Sequence, residues 1–373
     1  MFPTAPLLSA CFVSAQPSKR PIAAGGLVGP PLADSVNTIL EAKKMTSLVT
    51  GGAGFIGSHL TESLLDSGET VIVLDDLSTG NEQNLAAVLD HPSLQFVKGS
   101  ILDASLVDEL VGRADTVYHL AAAVGTFTIL DKTLESLRTN LHGTENVVDS
   151  ASRYGARVLI ASTSEVYGKN TKVGLREDDD RHIGSPLKNR WSYAEAKAID
   201  ETLAYLYAVE RGLQTVIVRL FNTVGPRQTG RYGMVIPRFV GQAIAGEPLT
   251  VFGTGSQVRC FCHVHDVVPA LQALMADKRA YGQVFNIGSS EQVSIMRLAR
   301  RVLAIVGSSS TITQVPYESA YGAGFEDMQR RVPDCTRAQR QIGFQPSRSL
   351  ADIIQAVAAY QLTDSPEVPV MSA

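Results

Sequence analysis

The sequence predicts an α/β fold, a doubly wound parallel sheet with a smaller α/β lobe built by the C-terminal part of the chain. Three observations predict it. An apolar strand, a glycine turn, an amphipathic helix and a second apolar strand follow one another between Thr46 and Asp75. Nearly all-apolar strands then alternate with long amphipathic helices as far as Phe221, the pattern of a parallel sheet buried on both faces. Beyond Asn222 the alternation loosens, and Gly and Pro break the chain into short elements. The boundaries drawn are an N-terminal extension over residues 1–44, a sheet domain over 45–222 and a lobe over 223–373 covering the strand ends, with room for later segments to return to the sheet.

The extension stands outside the pattern. Leu8-Ser9-Ala10-Cys11 looks like a bacterial lipoprotein cleavage box, but no Lys or Arg precedes it and the apolar run is short for a signal peptide. Pro21 to Pro31 is rich in Gly and Pro and reads as disordered. Met45 directly precedes the first strand, so residues 1–44 read as a flexible tail or the product of an upstream start.

The first unit holds Thr50-Gly-Gly-Ala-Gly-Phe-Ile-Gly57. Gly51 permits the tight turn, Gly54 lets backbone approach a pyrophosphate, and Gly57 lets the helix Ser58 to Gly68 pack on the sheet. The helix N-terminus offers free N–H groups and partial positive charge to phosphates. Asp75 lies about 20 residues past the turn, where a carboxylate bonds a ribose 2′-hydroxyl, which favours NAD over NADP. This is a Rossmann-type dinucleotide layout. Strands follow at Leu94 to Ile101, Thr116 to Ala122, Arg157 to Thr163 and Thr215 to Phe221, with long helices at Thr133 to Tyr154 and Tyr193 to Arg211.

Composition narrows the function classes. At 373 residues, with 45% hydrophobic and 19% charged content, the chain reads as a soluble globular protein with a sizeable core. A net charge of -4 argues against a nucleic-acid groove or an anionic membrane surface. The four cysteines, Cys11, Cys260, Cys262 and Cys335, form no disulfide framework and point to a cytoplasmic setting. Cys260 and Cys262 read as strand packing, and no run of about 18 apolar residues is available to span a membrane.

Chemistry is concentrated in Ser162-Thr-Ser-Glu-Val-Tyr-Gly168 and Tyr193-Ala-Glu-Ala-Lys197. The first ends a parallel strand, where hydroxyls and a carboxylate enter the crevice. The second puts Tyr and Lys on one helix face, so that the ammonium lowers the phenol and lets it act as a base near neutral pH.

Together these residues resemble the extended short-chain dehydrogenase/reductase family, in its branch acting on nucleotide-diphosphate sugars, from Thr46 to about Tyr360. Further marks are His119-Leu-Ala-Ala122, Asn140, Asn222 to Arg227, Arg259 and Arg330-Arg-Val-Pro-Asp334. The resemblance implies NAD held by Gly51, Gly54, Phe55, Ile56, Gly57, Asp75, Asp76, Ile101, Leu120, Ala121, Ala122, Asn140, Tyr193 and Lys197. It implies Thr163, Tyr193 and Lys197 as hydroxyl, base and helper, with Ser164 and Glu165 beside them. It implies a UDP-sugar on Asn222, Val235, Pro237, Phe252, Arg259, Arg331 and Asp334, no metal, and a homodimer through the helices Thr133 to Tyr154 and Tyr193 to Arg211. Ser100 departs from the pattern where relatives place an aspartate on the adenine amine, leaving Ile101 to pack on the ring.

The implied reaction is transient oxidation at sugar C4. Thr163-Ser-Glu165 lacks the acid a 4,6-dehydratase uses and is similar to UDP-glucuronate decarboxylases. Arg231, after the Asn222 to Arg227 turn, stands near the expected place of C6, where a guanidinium grips a carboxylate. The surrounding segments are more similar to UDP-glucuronate 4-epimerases, so the expectation is a 4-epimerase taking UDP-glucuronate to UDP-galacturonate. Its alternatives are the decarboxylase, then a UDP-glucose 4-epimerase or a 4,6-dehydratase. A nucleotide-binding regulator is disfavoured because Thr163, Tyr193 and Lys197 are all present. Glu177 to Arg181 reads as a solvated charge run, His263 as a helix cap, His59 as structural, and Trp191 as a wall of the sugar pocket or as packing.

Overall fold

A computed structural model describes residues 44–125, 132–230, 233–321 and 326–363. The N-terminal extension with its Cys11 box, and Arg231, lie outside the described residues. In order the chain forms β1 (Thr46–Thr50), α1 (Phe55–Asp66), β2 (Thr70–Asp75), β3 (Leu94–Lys98), α2 (Ala104–Val111) and β4 (Thr116–His119). Then come α3 (Thr133–Tyr154), β5 (Arg157–Thr163), α4 (Ser192–Arg211) and β6 (Thr215–Leu220). The later part contributes β7 (Thr223–Val224), α5 (Val235–Ile244), β8 (Leu249–Phe252), β9 (Val258–Arg259), β10 (Cys262–His263), α6 (Val264–Ala276) and β11 (Gln283–Ile287). It closes with β12 (Val293–Ser294), α7 (Ile295–Val306), β13 (Ile312–Val315), α8 (Tyr317–Tyr321), β14 (Arg330–Arg331), α9 (Thr336–Ile342) and α10 (Leu350–Thr363).

The described residues form a seven-stranded sheet in the order β11-β6-β5-β4-β1-β2-β3, parallel throughout. Because strand side chains alternate, β1 and β2 feed two cores at once. Val49, Val71 and Val73 pack on one face with Leu60 and Leu64 of α1 and Leu271 of α6. Leu48 and Ile72 pack on the other with Val107 of α2 and Val147 of α3. A further core of Phe239, Leu249, Leu298, Val302 and Ile353 holds the smaller lobe. β11 lies beside β6, so the chain beyond residue 222 returns to complete the sheet. Strand order reverses between β1 and β4, and a crevice opens there beyond the strand C-terminal ends.

Two strands stop earlier than the apolar pattern implies. The third ends at Lys98, and a turn closed by the Asp103 amide on the Ser100 carbonyl (3.1 Å) leads into α2, whose first amides Ser105 and Leu106 donate to Asp103 at 3.1 Å. The fourth ends at His119 rather than Ala122. From there the backbone crosses the crevice, with the Ala121 amide donating to Thr50 Oγ1 (3.3 Å) and the Ala123 amide to Asn140 Oδ1 (2.8 Å). Of the charge run, Asp178, Asp180 and Arg181 are exposed as expected, but Glu177 is buried and accepts the Asn286 amide at 2.8 Å. His263 does cap α6, accepting the His265 amide at 3.1 Å. Cys260 and Cys262 are buried free thiols, and Trp191 is fully buried. Among the described residues no helix is long and apolar enough to cross a membrane.

Candidate active site

The crevice encloses about 760 Å³ and reaches from the glycine turn to the smaller lobe. At the turn Gly51 has φ +72°, and a Cβ on Gly57 would stand 2.1 Å from the Gly51 carbonyl oxygen. Only glycine lets the start of α1 sit this close to the turn, and the result is a bare backbone cradle at a helix N-terminus. Asp75 lies at the end of β2 on the crevice wall, accepting the amides of Ala53 and Leu77, each at 2.9 Å. Gly54, Phe55, Ile56, Asp76, Ile101, Leu120, Ala121 and Ala122 also line this end. The cradle fits a dinucleotide pyrophosphate and the acid fits a ribose.

Asn140 is placed differently from expectation. It is 1% exposed and both ends of its amide are bonded to Ala123, so it props the crossing segment from behind the crevice wall. Behind that segment His119 lies between Thr50 Oγ1 (2.8 Å) and Thr144 Oγ1 (3.1 Å), and burial lowers its pKa to about 3, keeping it neutral.

Thr163, Ser164, Glu165 and Tyr193 meet in mid-crevice, where β5 ends and α4 begins. Thr163 Oγ1 accepts the Glu165 amide at 3.2 Å and so caps the turn that presents the acid. Burial would raise the Glu165 carboxyl, but Arg190 at 2.5 Å and Arg331 at 3.2 Å outweigh it and hold it down at about 2. Burial pushes Tyr193 well above the usual phenol range, reinforced by Glu165 and Asp200 and opposed by Arg331. The expectation that Lys197 lowers the phenol is not met here. Lys197 is 1% exposed, off the crevice wall, with its ammonium 3.1 Å from Asp200.

The far end is built by the lobe. Asn222, in a left-handed conformation at φ +40°, donates to the Cys260 carbonyl (2.7 Å) and accepts from Arg331 (2.8 Å). Arg259 donates to Asp327 at 2.8 Å, and Asp327 also accepts from Tyr317 at 3.2 Å. Arg331 keeps a buried Nε–H with no hydrogen-bond acceptor among the described residues, a donor ready for an anionic ligand. Burial, with Arg259 nearby, lowers its pKa to about 10. The Arg238 guanidinium lies 4.2 Å over the Phe252 ring, and Tyr321 meets that ring edge-on at 5.2 Å, so that the three form an aromatic and cationic stretch of the crevice wall. Val235 and Pro237 line the wall beside it. Asp334 does not, since its carboxylate accepts the Thr336 amide at 2.8 Å away from the crevice.

Arg190, Arg238, Tyr317, Tyr321 and Asp327 are wall residues that sequence reasoning did not assign. Arg190, three before Tyr193, had a positional signal. Arg238 lies on α5 beside Pro237, Tyr317 and Tyr321 bound α8, and Asp327 lies on a loop, none of them within a motif. Among the described residues no His/Cys/Asp/Glu cluster suits a metal ion.

A family model described as the NAD dependent epimerase/dehydratase family matches residues 47–288. The chain is 43% identical over 307 residues to the UDP-N-acetyl-alpha-D-glucosaminuronate decarboxylase of Bacillus cytotoxicus, covering 82% of this chain and 94% of that protein. It is 35% identical over 311 residues to UDP-glucuronic acid decarboxylase 1 of Xenopus tropicalis, covering 83% and 70%. Among solved structures, the UDP-glucuronic acid 4-epimerase of Bacillus cereus, in complex with UDP-glucuronic acid and NAD, matches with a TM-score of 0.77 at 29% identity, covering 86% and 99%.

Proposed function

The chain belongs to the NAD-dependent epimerase/dehydratase family, and within it we propose that it decarboxylates a UDP-linked uronic acid through a 4-keto intermediate. The observation that carries this reading is Glu165, held ionised between Arg190 and Arg331 directly after Thr163. A carboxyl with a pKa of about 2 cannot deliver the proton that expels a C6 hydroxyl, which disfavours dehydration. With its charge answered by two guanidinium groups, it serves as a fixed hydrogen-bond acceptor for substrate hydroxyls and not as a proton donor.

The glycine cradle fits NAD, whose chemistry when bound is to take hydride from C4 and return it. Burial holds Tyr193 in its protonated form, so it takes the C4 hydroxyl proton only as the phenolate, a form that the positive charge of bound NAD would favour, and Thr163 holds the oxygen as it becomes a carbonyl. The product of oxidation is a β-keto acid. Carbon dioxide leaves, the C5–C6 electron pair enters the carbonyl as an enolate, C5 takes a proton, and reduction at C4 gives a UDP-pentose. Arg259 and Arg331 bind the diphosphate, and the wall stretch of Arg238, Phe252 and Tyr321 takes the base. The 43% and 35% identities to decarboxylases move the reading away from the 4-epimerase expected from the sequence. Epimerisation of UDP-glucuronate stays the second reading, favoured by the match to the B. cereus epimerase.

The test is incubation with NAD and UDP-glucuronate or its 2-acetamido analogue, followed by proton NMR and carbon dioxide trapping. A UDP-pentose with stoichiometric carbon dioxide supports decarboxylation. UDP-galacturonate without carbon dioxide replaces it with epimerisation. For Tyr193→Phe, turnover is expected to fall at least a hundredfold with NAD still bound, checked by kinetics and by the cofactor content of the purified protein.

A further inference from the structure

We propose that Asp200 is a positioning residue for Lys197, holding its ammonium charged and seated on the helix that carries Tyr193. The inference rests on the proposed function in one respect, that Tyr193 is the proton acceptor, and on the expectation from the sequence that Lys197, four residues on, is its partner.

Lys197 and Asp200 are three apart on α4, their charged atoms are 3.1 Å apart, and each is 1% exposed. An ammonium taken this far from water is tolerated only with a counter-charge. The surrounding groups leave Asp200 as that counter-charge. Glu201, next on the same helix, is engaged by Arg219 of β6 at 2.8 and 2.9 Å and by Ser162 of β5 at 2.5 Å. Glu165, from the turn after β5, is matched by Arg190 and Arg331. His119 of β4 is neutral and turned to Thr144 of α3. Among the described residues Asp200 is the one of these acids with no arginine partner and no hydrogen bond of good geometry; burial raises its carboxyl, Lys197 is the main charge opposing that, and the Thr144 hydroxyl adds only a secondary attraction. Each member of the pair therefore depends on the other.

Asp200 also acts on Tyr193 directly, adding to the burial that raises its phenol. Removing the charge from Asp200 while keeping its shape leaves Lys197 a buried, unanswered cation, which sheds its proton more readily.

The test is Asp200→Asn in the NAD-loaded enzyme labelled with ε-15N-lysine, with the Lys197 Nζ resonance assigned by its loss in Lys197→Met. The titration midpoint of that resonance is expected to fall by at least one pH unit, a tenfold loss of proton affinity, and to recover in Asp200→Glu. The alkaline limb of kcat/KM moves down with it. An unchanged midpoint overturns the proposal, as does movement of the acidic limb alone, which would mean that Asp200 acts on Tyr193 and not through Lys197. If Asp200→Asn does not fold, the Lys197→Met/Asp200→Asn double variant decides: recovered folding supports the charge pair, and continued failure refutes it. The titration needs no sugar nucleotide. Absence of turnover with every UDP-uronate would therefore sink the assigned reaction and leave this result standing.

Discussion

Arg190 reaches Glu165 from the turn just before α4, stacked 5.3 Å from the centroid of the fully buried Trp191 ring. It is the largest attractive charge on that carboxyl, and burial works against it. In the wild-type protein the acid stays ionised at any practical assay pH, because its pKa of about 2 lies below the range. Arg190→Met leaves Arg331 alone against burial, so the carboxyl rises and takes up a proton as pH falls through the acidic range. The expected outcome is a new acidic limb in kcat/KM above pH ~4.5 and a loss of roughly tenfold to a hundredfold in turnover at pH 7. A profile flat down to pH 5 would show that Arg190 is not what keeps Glu165 charged. Arg190 is also the residue that sequence reading passed over. Nothing in Arg190-Trp-Ser-Tyr says that the guanidinium turns toward a strand end rather than toward solvent.

Among elements, α1 shows what the chain makes legible. Its glycine spacing, its apolar face and the acid at the end of β2 are local features, readable because each is fixed by a few adjacent residues. Gly57→Ala would place a methyl 2.1 Å from the Gly51 carbonyl oxygen, so the turn must shift away from the phosphates. NAD affinity is expected to fall at least tenfold, about 1.4 kcal/mol, in titration calorimetry. Element types followed the period of the apolar residues. The ends of β3 and β4 did not, because the Ser100 to Asp103 turn and the Asn140 clamp decide them. Asp327 and Tyr317 were illegible for a similar reason, being brought to the crevice by the lobe's fold and not by any spacing. The same helix carries a pH effect. His59, His263 and His265 form an edge-to-face row with centroids about 5 Å apart, joining α1 to α6. Burial lowers His59 and His263 to about 4. Their folded pKa values lie below the unfolded value, so the unfolded chain binds more protons and stability is lost as pH falls from 6.5 to about 4. Thermal midpoints should decline across that window, and His59→Gln should flatten the decline; equal slopes in both proteins would clear this row of responsibility.

The whole molecule leaves apolar surface where α3 and α4 face outward. Ile199, Leu206 and Val209 are 52%, 42% and 63% exposed, and their spacing along α4 sets them in one stripe. Leu134 of α3 is 62% exposed. Water contact with several large apolar side chains on long helices is unfavourable, and a second copy of the same stripe buries it in an isologous pairing. We therefore propose a homodimer through α3 and α4. Tyr193, the proton acceptor of the proposed reaction, sits at the start of α4, so pairing would brace the helix that positions it. Val209→Glu combined with Leu206→Glu puts like charges opposite one another across such a two-fold axis. In sedimentation velocity the wild-type protein should run as a dimer and the double variant as a folded monomer. Turnover in that variant should fall more than NAD content, because the paired surface supports α4 and not the glycine cradle. A wild-type monomer would rule the pairing out and assign the stripe to a different partner.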